Sequence, residues 1–172
     1  MGLGRHIFIG IASVSLAACT TVVDQSENLG ALRVEAVTVD TSSAVIEGRE
    51  LQITPAAVSQ LFEAEIRNSV ARSSDPNGTP VNVDVVMTQI RLAPPLERVV
   101  AGTSTATGTL TVANAETGER LSPPTSVTGN SDNLRAAGVV ALATTVTPEE
   151  DYRGTVRGFA EAIRQTLFGS ET

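Results

Sequence analysis

The stretch TPEEDYRGTVRGFAEAIRQTL, residues 147–167, decides the fold. Thr147 and Glu150 have the spacing of a capping box, and Pro148 stands at the first helical position. The apolar residues that follow recur every three or four positions, the period of one helix face; they are Tyr152, Val156, Phe159, Ile163 and Leu167. The pattern predicts an amphipathic helix. Glu161 follows Arg157 by four positions, the spacing of an exposed ion pair.

A second amphipathic helix is predicted between Thr54 and Arg72. Thr54 can act as its N-cap, and Pro55 stands at the first helical position. The apolar residues again share one face; they are Val58, Leu61, Phe62, Ile66 and Val70. The turn cluster SSDPNG at 73–78 ends the helix.

Alternating apolar and polar residues predict the strands. Residues 81–88 show the cleanest alternation in the chain. Residues 32–40 alternate too, but the phase changes, so we expect one strand with a bulge near Ala36. The short apolar groups at 45–47 and 51–53 extend or repeat this strand.

Residues 96–128 predict a long antiparallel hairpin with its turn at 114–119. Pro123 and Pro124 cannot donate ladder hydrogen bonds, so their stretch belongs at an edge or an interruption. Residues 129–133 are predicted to be a loop. The apolar stretch 134–146 fits either a buried helix or a strand, and it is too short to span a bilayer.

The order strand, helix, strands, helix predicts an α+β fold. We expect a single domain over residues 31–169, in which the two amphipathic helices pack on one face of a mostly antiparallel sheet. This length is enough to build one hydrophobic core without disulfides or metals.

The first nineteen residues have the features of an export signal. Arg5 precedes an apolar run at 7–16, and small residues lead to the only cysteine of the chain, Cys19. The segment Leu16-Ala17-Ala18-Cys19 resembles the lipobox of bacterial lipoproteins, which signal peptidase II cleaves before the cysteine. The resemblance implies a cleaved signal peptide at 1–18.

The same resemblance implies that Cys19 carries a thioether-linked diacylglycerol and an N-acyl chain such as palmitate. Two or three acyl chains would hold the protein stably on a membrane. Residues 19–30 then form the lipidated N-terminus and a flexible tether. Thr20 replaces the aspartate that retains lipoproteins in the inner membrane, so we expect an outer-membrane, lipid-anchored protein of a Gram-negative-type envelope that faces the periplasm.

Composition excludes several classes of function. The formal net charge is −7 and the chain has no tryptophan, which argues against nucleic-acid binding. The only histidine, His6, lies within the signal peptide, so we expect no histidine-dependent catalysis, no cofactor and no metal site. The carboxylates at 149–151 are interpreted as helix capping, and Asp75 and Asn77 as turn residues.

These exclusions favour a non-enzymatic protein and leave two hypotheses. The first is an accessory or scaffold subunit that docks on a larger envelope assembly through a sheet edge or hairpin. The second is a carrier or chaperone for a lipid or another amphiphile, auxiliary to envelope transport. A carrier needs an apolar cavity, expected between 101–113 and 134–146, whereas a scaffold needs a filled core and an exposed edge or apolar patch.

Overall fold

The computed structural model describes residues 29–48, 54–94, 103–131 and 147–169. The lipobox with Cys19, most of the tether, and the stretches 51–53 and 134–146 lie outside these residues. The described chain forms one α+β domain. Its elements are β1 Leu32–Asp40, β2 Val45–Gly48, α1 Pro55–Ala71, β3 Thr79–Leu92, β4 Thr105–Asn114, β5 Thr125–Asn130 and α2 Pro148–Phe168.

The five strands form one mixed, mostly antiparallel sheet, which confirms the predicted fold class. Its order is β1-β3-β4-β5, with β3–β4 and β4–β5 antiparallel. Both β1 and β2 pair with β3 in parallel, β1 along its first half and β2 along its second half. The helix α1 supplies the long crossover that parallel strands need. The strands β1 and β2 therefore follow each other along one edge of the sheet.

The bulge predicted in β1 is confirmed. The register against β3 shifts between Val34 and Ala36, which leaves Glu35 as the extra residue. The shift preserves burial on both sides, since Leu32 before it and Val37 after it face the core.

Both predicted helices are present with their predicted caps. The Thr54 side chain accepts a hydrogen bond from the amide of Ala57 at the start of α1. At the start of α2, Thr147 and Glu150 form the reciprocal bonds of a capping box. The two helices pack against each other and on the same face of the sheet.

Three aromatic rings lie at the centre of the core. Phe62 of α1 meets Phe159 of α2 edge to face, with ring centroids 5.6 Å apart. It meets Tyr152 in the same way at 6.1 Å. Tyr152 is buried, its hydroxyl has no hydrogen-bond partner among the described residues, and burial raises the pKa of its phenol. These contacts join both helices through the residues that the 3.6-residue period had placed on their inner faces.

The predicted loop at 129–133 is wrong for its first two residues. Gly129 and Asn130 belong to β5, which begins at Thr125, directly after the interruption made by Pro123 and Pro124. A Cβ on Gly129 would lie 2.2 Å from the Cα of Phe159. This glycine therefore allows a close approach of strand and helix and does not mark a turn.

Candidate functional site

The start of β1, at Leu32 and Val34, is hydrogen-bonded to the loop between α1 and β3. The amide of Val34 donates to the Ser74 hydroxyl at 3.0 Å, and the Asp75 amide donates to the carbonyl of Leu32 at 2.8 Å. Asp75 also accepts from the amide of Asn77, the side-chain turn expected from the sequence. These bonds satisfy edge groups that could otherwise pair with another strand.

The far part of the same edge, formed by β2, pairs with no further strand in the described part of the chain. All four residues of β2 are exposed, including two adjacent aliphatic side chains. Val45 is 54% exposed and Ile46 is 48% exposed. Single exposed aliphatic residues are common, but two on one short edge strand, one on each face, are a feature of an edge to which a further strand can add. We call β2 with these two side chains the docking edge.

Acidic side chains lie on the docking edge and on the strands leading to it. Asp40 ends β1 and accepts a hydrogen bond from the Ser42 amide, which lowers the pKa of its carboxyl. Glu47 lies in β2, accepts a hydrogen bond from the side-chain amide of Gln89, and is opposite Arg91 in the parallel register. Asp84 is exposed on the neighbouring β3, opposite Thr38. Among the described residues of β2, its flanks and its β3 partners, Asp40 and Glu47 outnumber the one arginine, and Asp84 adds a further negative charge beside β1.

The docking edge lies at the end of the sheet away from the start of β1. Leu32 pairs with Thr79 at the beginning of β3, whereas Gly48 pairs with Leu92 at its end. The two ends are roughly 40 Å apart, since a strand rises about 3.3 Å per residue. The chain therefore enters the domain at one end of the sheet and presents β2 at the other.

A buried polar cluster holds this second end together. Ser104, before β4, donates from its hydroxyl to the carboxylate of Asp151 at 2.5 Å and accepts from the amide of Ala93 at 2.9 Å. Its carbonyl accepts from the amide of Ser131. Asp151 is fully buried in the first turn of α2, where the helix dipole favours a negative charge. The sequence predicts that the carboxylates at 149–151 cap α2. Glu150 does so, whereas Asp151 connects α2 to Ser104, the residue before β4.

The described part of the expected carrier cavity is filled. A Cβ on Gly108 in β4 would lie 3.2 Å from the sulfur of Met87 and 3.3 Å from the ring of Phe159. Ala106 and Leu110 beside it are buried in the same core. The other expected wall, 134–146, lies outside the described residues.

A groove of about 300 Å³ runs between the two helices and is lined largely by polar side chains, among them Glu65 and Arg72. Glu161, which also lines the groove, binds Arg164 at 2.6 Å and Arg72 at 3.4 Å, in place of the predicted partner Arg157. Arg164 is almost fully buried, and its hydrogen bonds hold the pKa of the Glu161 carboxyl below its ordinary value. These contacts connect the C-terminal end of α1 to α2.

The docking edge is not predicted as a site by the sequence. Residues 45–47 are predicted to be a strand, but two adjacent aliphatic residues in a strand leave open which one faces the core. The predicted lipid-attachment residue, Cys19, lies outside the described chain. Within the described residues, no group of three or more potential metal-binding side chains is close enough to share an ion, and no helix is long and apolar enough to cross a bilayer.

No protein-family model and no curated protein matches the sequence. Solved structures resemble the fold of this chain at low sequence identity. A proposed lipoprotein from Caulobacter crescentus is 13% identical and matches over 73% of this chain and 88% of its own, with a TM-score of 0.36. A protein of Xanthomonas campestris from family DUF330 is 11% identical over 80% of this chain and 83% of its own, with a TM-score of 0.40. These values describe a partial likeness of fold.

Proposed function

We propose that this protein is a non-enzymatic accessory subunit, anchored by lipid to the outer membrane, that docks on a larger envelope assembly through the β2 edge. The anchor is the acylated Cys19, and the domain faces the periplasm. The observation that carries the docking role is the contrast along one sheet edge, where the start of β1 is hydrogen-bonded to a loop and β2 exposes Val45 and Ile46.

The position of the docking edge supports this arrangement. A tether at 19–30 joins the domain beside Leu32, and the docking edge lies at the far end of the sheet. The lipid would therefore hold one end of the domain near the bilayer and leave the other end accessible to a partner in the periplasm. The filled core around Gly108 supports a scaffold because a carrier needs an apolar cavity there.

Photo-crosslinking in the native cells tests the docking role. A photoreactive amino acid is placed at Val45, at Ile46 or, as a matched control, at Val86. Val86 is 43% exposed, but it lies on β3, whose two sides are already paired. We expect one reproducible protein adduct from positions 45 and 46 and none from 86. Equal adducts from all three positions, or none at the edge, would refute the docking role.

The substitution Cys19→Ala tests the anchor. It removes the thiol that would receive the diacylglycerol, so we expect an uncleaved precursor without acyl chains. Mass spectrometry of the protein isolated from membranes distinguishes the two forms. A variant that is processed normally and remains bound to the membrane would show that Cys19 is not the anchor.

A further inference from the structure

We propose that the occupant of the docking edge is an extended, positively charged strand of a partner protein, which adds to the sheet beside Val45 and Ile46. The inference rests on the proposed function, because it specifies the chemistry of the partner. An added strand gains main-chain hydrogen bonds from the edge, and its alternate side chains contact those of the edge strand.

The backbone of β2 is available for such pairing. One side of β2 pairs with β3, from Val45 opposite Gln89 to Gly48 opposite Leu92. Its other side pairs with no strand in the described part of the chain. The aliphatic side chains of the docking edge would contact apolar residues of the incoming strand and lose their exposure to water.

The charge around the docking edge selects the partner. Asp40 precedes β2 and Glu47 lies within it, while Arg91 opposite Glu47 offsets one of these charges; Asp84 adds a charge farther along β3, beside β1. Arg33 lies near the start of β1, at the other end of the sheet, and forms an ion pair with Glu35 at 2.6 Å. Since opposite charges on neighbouring strands attract, lysine or arginine side chains on the incoming strand would be favoured.

The same charges disfavour two other occupants. A second copy of this chain, paired through the same edge about a two-fold axis, would bring an identical set of carboxylates close to the first set. An anionic membrane surface would be repelled both by these carboxylates and by the net charge of −7. A basic strand from a different protein would not be repelled by these carboxylates.

Binding of defined peptides to the mature, lipidated protein in neutral detergent tests the inference. Three labelled, end-capped peptides alternate valine with lysine, threonine or glutamate, and fluorescence anisotropy measures their affinities at low and high salt. We expect the lysine peptide to bind about tenfold more tightly than the threonine peptide, from a few cross-strand charge pairs, and the glutamate peptide to bind most weakly. The preference should shrink at high salt.

Two double variants locate the effect. Asp40→Asn with Glu47→Gln should reduce the lysine preference to about twofold and leave the threonine peptide unaffected. Glu116→Gln with Glu119→Gln makes the same change in net charge in the exposed turn after β4, and should leave the preference intact. Circular dichroism verifies that both variants are folded.

Two results would overturn the inference with peptides alone. One is a glutamate peptide that binds as tightly as the lysine peptide, and the other is an equal loss of preference in both double variants.

The crosslinking experiment separates this inference from the proposed function. An adduct at position 45 or 46 whose captured segment has no excess of lysine and arginine would refute the charge inference and leave the docking role standing. The absence of any adduct there would refute both.

Discussion

Replacing Gly158 with alanine should destabilise the protein, although helix propensity alone predicts the opposite. Gly158 lies inside α2, where alanine is favoured over glycine by about 0.8–1 kcal/mol. In the folded protein, however, a Cβ on Gly158 would lie 1.8 Å from the carbonyl oxygen of Asn130. The obstacle is backbone, so no rotation of a side chain relieves it.

The size of the effect follows from the same contact. Cβ contacts below 3.0 Å are essentially never found, so α2 and β5 must separate by more than about 1 Å. This shift would also disturb Phe159, whose Cα lies beside Gly129. Overpacking a core costs about 1–3 kcal/mol, and a backbone clash of this size belongs at the upper end. After the gain in helix propensity is subtracted, we expect a net loss of about 2 kcal/mol in the free energy of unfolding.

Urea unfolding of the lipidated protein in detergent, followed by helical circular dichroism, measures the effect, because the chain has no tryptophan for fluorescence. Arg157→Ala is the control. Arg157 is the exposed preceding residue of α2, and its replacement should change the stability by no more than about 0.5 kcal/mol. A Gly158→Ala variant as stable as the wild type, or more stable, would mean that α2 and β5 do not approach as closely as described.

Three further predictions use the same assay. Phe159→Ala removes a fully buried ring, so we expect a loss of about 3–5 kcal/mol; a loss below about 1 kcal/mol would contradict its burial. Ser104→Ala leaves the buried Asp151 carboxylate without this hydrogen bond and should cost about 1–3 kcal/mol; an unchanged stability would count against the buried polar cluster. Because Arg164 lowers the pKa of Glu161, the stability contributed by this carboxylate is complete above its ordinary value of 4.5 and is lost as the pH falls through the lowered value. Glu161→Gln should therefore be less stable than the wild type at neutral pH and equally stable in strong acid. Because Glu161 is partly exposed, the difference at neutral pH should be at most about 1 kcal/mol. A difference that is the same at all pH values would contradict the contribution of the ionised Glu161 to stability.

The helices and their caps could be predicted because the signals are local. The cap at Thr54 and the capping box of Thr147 and Glu150 depend on residues three positions apart, and each apolar face depends on the 3.6-residue period. The bulge near Ala36 was visible in the same way, as a change of phase within one strand. Local signals do not specify a strand's neighbours, so the parallel pairing of β1 and β2 with β3 was not predicted.

Most of the candidate site could not be predicted. Val45 and Ile46 are ordinary strand residues in the sequence. They are exposed because no described strand lies beyond β2 and because the loop after α1 covers only the start of β1. The role of Asp151 was also hidden. In the sequence it is one of three acids in a first helical turn, and only the approach of Ser104 from a distant strand makes it a buried link.

Periodicity and capping, which are properties of neighbouring residues, were enough to determine two amphipathic helices and the core residues on their inner faces, and the order of the elements predicted the α+β fold class. The lipobox and its anchor at Cys19 remain predictions from the sequence alone. The tertiary structure decided which part of the β1–β2 edge is hydrogen-bonded to a loop, why Gly129 and Gly158 must be glycines, and which carboxylates lie near the docking edge. These features depend on contacts between residues far apart in the chain, whose energies exist only after the strands and helices have packed together.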